Sequence, residues 1–121
     1  MPMRCLLVDD NAGFLESARV LLVQQGLDVS VASTGAEAEL RVSEWRPDVV
    51  LLDIDLRGES GFDVARRLAG SPVAGLGIIL VSTHAERDYA ELIDASPALG
   101  FLPKVSVSAG AIRALLGRRA G

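Results

Sequence analysis

Three carboxylates and one ammonium stand where short apolar runs end. Asp9 and Asp10 follow Leu6, Leu7 and Val8, Asp53 closes the run VVLLD, and Lys104 follows GFLP. Lys104 is the only lysine, since eleven of the twelve basic residues are arginine, so a compact ammonium at the edge of an apolar segment reads as positional. Ser82 and Thr83 follow another such run, IILV. Three carboxylates gathered within a few ångströms repel one another, and the arrangement persists only if a hard cation or a raised pKa relieves it. Oxygen ligands with no His or Cys beside them suit Mg²⁺, with Mn²⁺ as a substitute. Mg²⁺ usually takes one or two carboxylates and leaves its other positions to water and phosphate oxygens. A metal beside a carboxylate, a lysine and a hydroxyl would spread the charge of a transferring phosphoryl group. Asp53 is the best-placed nucleophile.

The elements that must position these groups alternate along the chain. Apolar runs RCLLV, DVSVA, DVVLLD, GIILV and GFLP are separated by helical spacings: Phe14, Ala18, Leu21 and Leu22; Ala36 and Leu40; Phe62, Ala65 and Leu68; Tyr89, Leu92 and Ile93; Ile112, Leu115 and Leu116. Boundary residues agree: Gly26 after the first helix, Ser33 or Thr34 as cap of the second, Pro47 before the third strand, Ser106 or Ser108 as cap of the last helix. Runs such as VVLL and IILV are apolar on both faces, which suits a parallel sheet covered by helices on both sides. The predicted fold is α/β, a doubly wound five-stranded parallel sheet with five helices. In such sheets the ligand crevice lies beyond the carboxyl ends of the strands. Asp9 and Asp10, Asp53, Ser82 and Lys104 all fall there, delivered by four different strands.

Composition bounds the function. A chain of 121 residues, half of them apolar, fits one domain over 1–121 with a real core. A net charge of -4 and a pI near 4.9 argue against direct nucleic-acid binding by this domain, although Arg66, Arg67, Arg118 and Arg119 could form local patches. No apolar run approaches a membrane span and the N-terminus lacks a signal-peptide pattern, so the expected location is cytoplasmic, with no membrane partner. The single Cys5 reads as a small buried hydrophobe, and Trp45 and Tyr89 as structural residues. No repeat or low-complexity segment is present.

The segments LLVDDN, VVLLDIDLRGESGFDV, IILVSTH and GFLPK together resemble the receiver domain of bacterial two-component response regulators, over the whole chain. The resemblance implies a flavodoxin-like fold of strand order 2-1-3-4-5, similar to chemotaxis regulators. It implies a phosphoacceptor in a phosphorelay, not an enzyme with a separate substrate, catalysing only its own phosphorylation and dephosphorylation. Asp53 would accept the phosphoryl group from a phosphohistidine of a sensor histidine kinase or phosphotransfer protein. Asp10 would bind Mg²⁺ directly, Asp9 through a water, and the backbone carbonyl of Asp55 would add an oxygen beside Asp53. Lys104 would pair with the acceptor carboxylate and then with the phosphoryl group. Ser82 would turn toward the phosphoryl group and let Phe101 pass from an exposed to a buried rotamer, reshaping the face of the fourth helix, fifth strand and fifth helix. That face would serve an effector domain, a partner protein or a homodimer.

Simpler readings compete. Asp9 to Asn11 could cap the following helix, Asp53 and Lys104 could be a structural ion pair, and Phe101 could be plain core. Asp53 and Asp55 also spell the Asp-x-Asp of haloacid-dehalogenase-type phosphohydrolases, but that motif should follow a first strand and be joined by a late acidic pair. A phosphorylation-independent interaction module is a third reading. The chain departs from the receiver pattern at three places. Val105 replaces the proline that commonly follows the lysine, often after a cis bond, which before a non-proline residue costs about 2.5–4 kcal/mol. Arg57 replaces a loop proline and adds a cation near the pocket. Thr83 replaces a smaller residue, and with His84 and Asp55 it is expected to ring the phosphoryl group and govern its hydrolysis.

Overall fold

The computed structural model describes residues 2–71, 73 and 75–117; Arg118 and Arg119, two of the four arginines that could form local patches, lie outside the described residues. Five strands alternate with five α-helices: β1 Arg4–Val8, α1 Ala12–Gln24, β2 Asp28–Ala32, α2 Gly35–Trp45, β3 Val49–Asp53, α3 Gly61–Ala69, β4 Gly77–Ser82, α4 Ala90–Asp94, β5 Gly100–Pro103 and α5 Ala109–Gly117. The strands pair in parallel in the order β2-β1-β3-β4-β5, the expected doubly wound topology.

Alternation along the strands builds two cores. Leu6, Val8, Val50, Leu52, Ile78 and Leu80 face one way, packing with Ala38 and Val42 of α2, Val64, Ala65 and Leu68 of α3, and Ile93 of α4. Cys5, Leu7, Val49, Leu51, Ile79 and Val81 face the other way, against Leu15, Ala18 and Leu22 of α1 and Ile112 and Leu115 of α5. Consecutive strand residues point to opposite faces, so a strand covered by helices on both sides must be apolar throughout. Burial pushes the Cys5 thiol up to about 12, which leaves it a neutral core side chain.

Helix starts follow side-chain chemistry. Asn11, not either aspartate, caps α1, its Oδ1 accepting the Phe14 N–H at 3.0 Å. Thr34 caps α2 through the Glu37 N–H at 3.1 Å, while the Glu37 carboxylate reaches back to the Ser33 N–H at 2.6 Å. Ser108 Oγ accepts the Ala111 N–H at 3.0 Å at the start of α5.

Two features depart from the sequence expectation. Asp55–Leu56 and Glu59–Ser60 form a small antiparallel ribbon, turned by Gly58 at φ 79°. The fourth helix has only five residues and follows a 3₁₀ turn at Glu86–Asp88, so Tyr89 precedes it instead of lying on it. Only Ile93 of α4 is buried and Leu92 is 55% exposed, which gives a short segment too little apolar anchorage to extend.

The ribbon returns the chain tightly onto the end of β3. The Gly61 N–H donates to the Ile54 carbonyl at 2.6 Å, and a Cβ on Gly61 would lie 2.0 Å from the Asp53 carbonyl oxygen and 2.7 Å from Ile54 Cα. Backbone cannot yield as a flexible side chain can, so Gly61→Ala should destabilise the fold by about 1–3 kcal/mol in urea denaturation. Gly70→Ala, whose methyl would meet nothing nearer than 3.6 Å, should stay within about 0.5 kcal/mol of wild type. Equal effects at the two glycines would contradict this account of the turn.

Candidate functional site

The carboxyl ends of β1, β3, β4 and β5 converge on one rim. The Asp9 N–H donates to the Ala32 carbonyl at 3.1 Å, carrying the β1–β2 pairing one step past the strand and fixing the acid pair. Asp9 is fully buried. Its Oδ1 accepts the Asn11 N–H at 2.9 Å; its Oδ2 has no aligned hydrogen bond, but the Lys104 ammonium lies 2.6 Å away. Asp53 is buried at the end of β3, with Oδ1 accepting the Asp55 N–H at 3.2 Å and Oδ2 accepting from Lys104 Nζ at 3.2 Å. Asp10 is the outermost of the three, its side chain 27% exposed, and its Oδ2 accepts the Arg57 N–H at 3.0 Å. One oxygen from each of Asp9, Asp10 and Asp53 lies within 4.8 Å of the others.

Lys104 is therefore shared, and lies nearer Asp9 than Asp53. Its side chain is 12% exposed, and the Phe14 ring covers it with the ammonium 4.8 Å from the ring centroid. Residues 104–106 form a 3₁₀ turn with a trans Lys104–Val105 bond, and Val105 is 97% exposed. Burial works against the Lys104 charge, but hydrogen bonding to Asp9 and attraction from both carboxylates outweigh it, and the ammonium's pKa is raised. Burial pushes Asp53 from 3.8 up to about 6. The Asp55 N–H opposes that rise, the Asp9 charge adds to it, and Lys104 opposes it.

The other expected residues occupy distinct positions. Ser82 is buried at the end of β4, one residue beyond Val81, the partner of Asp53; its Oγ accepts the His84 N–H at 3.0 Å. Thr83 and His84 are exposed, and the His84 ring meets Tyr89 edge-on at 6.1 Å. Asp55 is exposed too, and its backbone N–H is the group that reaches Asp53. Phe101 is buried in the core with Ile54, Phe62 and Ile93, so the rotamer found is the inward one.

Two contacts were not read from sequence, the Phe14 ring over Lys104 and the direction of Arg57, whose Nε lies 3.8 Å from Asp10 Oδ2. An aromatic in the first turn of the helix following the acid pair was a usable signal for the first. No pattern signalled the second. Asn11 does the capping, which leaves both aspartates free, and the donor set suits a hard cation. A buried, unaligned Asp9 oxygen and a partly exposed Asp10 lie close to Asp53, with no nitrogen or sulfur ligand in the cluster among the described residues. The cluster could hold a metal ion.

Comparison with known proteins bears on the family and the fold. A family model described as the response regulator receiver domain matches residues 5–116. The DNA-binding response regulator MtrA of Mycolicibacterium paratuberculosis is 38% identical over 93 residues, covering 77% of this chain and 40% of that protein. The transcriptional regulatory protein KdpE of Mycobacterium tuberculosis (strain CDC 1551 / Oshkosh) is 38% identical over 90 residues, covering 74% and 39%. The chain thus spans about two fifths of the length of these curated relatives. In fold it is similar to a CheY-like receiver domain protein from Methanospirillum hungatei JF-1, with a TM-score of 0.85 at 22% identity over 99% of this chain and 98% of that one. A match over nearly the whole sheet, joined to an acid pair, a central aspartate, a hydroxyl and a lysine on one rim, places this chain in the response regulator receiver domain family.

Proposed function

We propose that Asp53 is the phosphoacceptor of this receiver, taking a phosphoryl group from a phosphohistidine of a sensor histidine kinase or phosphotransfer protein with Mg²⁺ bound. The observation that carries the reading is the buried Asp53 carboxylate, 3.2 Å from Lys104 and crowded by Asp9 and Asp10. Asp10 and Asp53 would hold the ion directly, with Asp9 through water and the Asp55 carbonyl as a further oxygen; Mn²⁺ suits the same donors. When bound, Mg²⁺ supplies positive charge to the phosphoryl oxygens and lowers the repulsion among the carboxylates.

An Asp53 oxygen attacks phosphorus in line, a P–O bond forms, and the P–N bond breaks with its electron pair returning to the imidazole. Lys104 already faces the oxygen that reacts and offers charge to the phosphoryl group as it arrives. Ser82 Oγ, now an acceptor for the His84 N–H, is the hydroxyl that would donate to a phosphoryl oxygen. Because Phe101 is already inward, the change we assign to Ser82 runs through His84 and its contact with Tyr89 to the α4–β5–α5 face. Thr83, His84 and Asp55 are exposed around the rim, where they can govern the approach of water. An effector domain, a protein partner or a second copy would read that face. The relatives named as DNA-binding or transcriptional regulators motivate an effector of that kind. Nothing favours a haloacid-dehalogenase-type hydrolase or a phosphorylation-independent module: Asp53 ends the third strand, and Asp55 meets it through its backbone N–H.

Asp53→Asn should abolish incorporation of phosphate from acetyl phosphate and Mg²⁺, read by intact-protein mass; incorporation at the wild-type rate would defeat the assignment. The same substitution tests the electrostatic tension without metal. The Asp53 pKa is raised from 3.8 to about 6 in the fold, so the native state binds more protons than the unfolded chain between those values. Native stability must then fall as pH rises through that window. In a chelating buffer, Asp53→Asn should stabilise the fold above about pH 6, with the gain fading as the pH falls toward the unfolded value, read by urea denaturation. A loss of stability at every pH would contradict it.

A further inference from the structure

The Lys104 ammonium serves two of the three carboxylates, and the third is met by a different cation. Arg57 meets Asp10 twice, through its backbone N–H at 3.0 Å and through guanidinium Nε at 3.8 Å, both on Oδ2. The Arg57 side chain is 88% exposed, and among the described residues its ion pair is with Asp10. Asp10 is also the most exposed carboxylate of the cluster and hence the first that an ion from solvent reaches.

Resting on the metal-dependent phosphoacceptor reading, we propose that Arg57 is an internal counterion that competes with the divalent cation for Asp10 and raises the Mg²⁺ concentration at which the site loads. Two cations drawn to one carboxylate repel each other, whichever of its two oxygens each meets. The two contacts have separable roles. The N–H bond ties the ribbon to Asp10 in any residue other than proline, while the guanidinium leaves by side-chain rotation alone, so exchange costs no rearrangement of the loop. Arg57 is in this sense a positioning and threshold residue, acting on the metal ligand and not on the reacting atoms.

An exposed pair of this kind shifts an equilibrium by about two- to fivefold. Calorimetric titration of MgCl₂, with no phosphodonor present, would compare wild type, Arg57→Ala, Arg57→Lys and Arg41→Ala. The last removes the same formal charge from the exposed side of α2. Arg57→Ala should bind Mg²⁺ about two- to fivefold more tightly, Arg57→Lys should stay near wild type, and Arg41→Ala should match wild type. An unchanged or weaker affinity in Arg57→Ala, or equal tightening in Arg41→Ala, would overturn the inference while leaving the phosphoacceptor reading standing. Absence of Mg²⁺ binding by wild type would overturn both.

Discussion

The structure is organised around one partly buried ammonium held between two buried carboxylates. Lys104 lies 2.6 Å from Asp9 and 3.2 Å from Asp53, under the Phe14 ring and largely out of water. Charges so placed lose hydration and are kept only because they compensate one another; it is removal of the ammonium that would leave both carboxylates uncompensated, a loss that typically costs about 3–5 kcal/mol. The compensation is incomplete. Three carboxylates face one partly buried ammonium and one exposed guanidinium, which leaves the rim net negative, and more so when Arg57 departs. A divalent cation added to Lys104 would bring the three carboxylates to neutrality.

The rest of the fold supplies the positions. A parallel sheet puts every carboxyl end on one edge, and the β2-β1-β3-β4-β5 order sets β1 and β3 side by side so that Asp9 and Asp53 are neighbours. Asn11 takes over helix capping, so neither acid is used up at the α1 terminus. Gly61 lets the chain fold back over Asp53, and the Asp55 N–H, presented by the same ribbon, offsets part of the cost of burying that carboxylate. The stability spent on crowding charge at the rim is recovered from two continuous apolar cores, one on each face of the sheet.

What the sequence revealed follows from the range of the forces involved. Runs such as VVLLD and GIILV are apolar because both faces of those strands are covered, and alternation with helical spacing follows from parallel crossovers; both are local in sequence and were legible there. The convergence of Asp9, Asp10, Asp53 and Lys104 was legible because the strand topology forces it. The ribbon at 55–60 and the shortness of α4 depend on how much apolar surface a short segment finds to rest on, which composition does not state. Lys104's preference for Asp9, the inward rotamer of Phe101 and the reach of Arg57 to Asp10 are choices among near-equal side-chain positions, set by packing and charge from distant parts of the chain.

Anomalous diffraction from crystals of the wild-type chain grown with Mn²⁺ would locate the ion. One strong manganese peak is expected at the rim, bound by the carboxylates of Asp10 and Asp53, with Lys104 still seated beside Asp9. Manganese absent from the rim at saturating concentration, or bound there without Asp53, would contradict the proposed metal site.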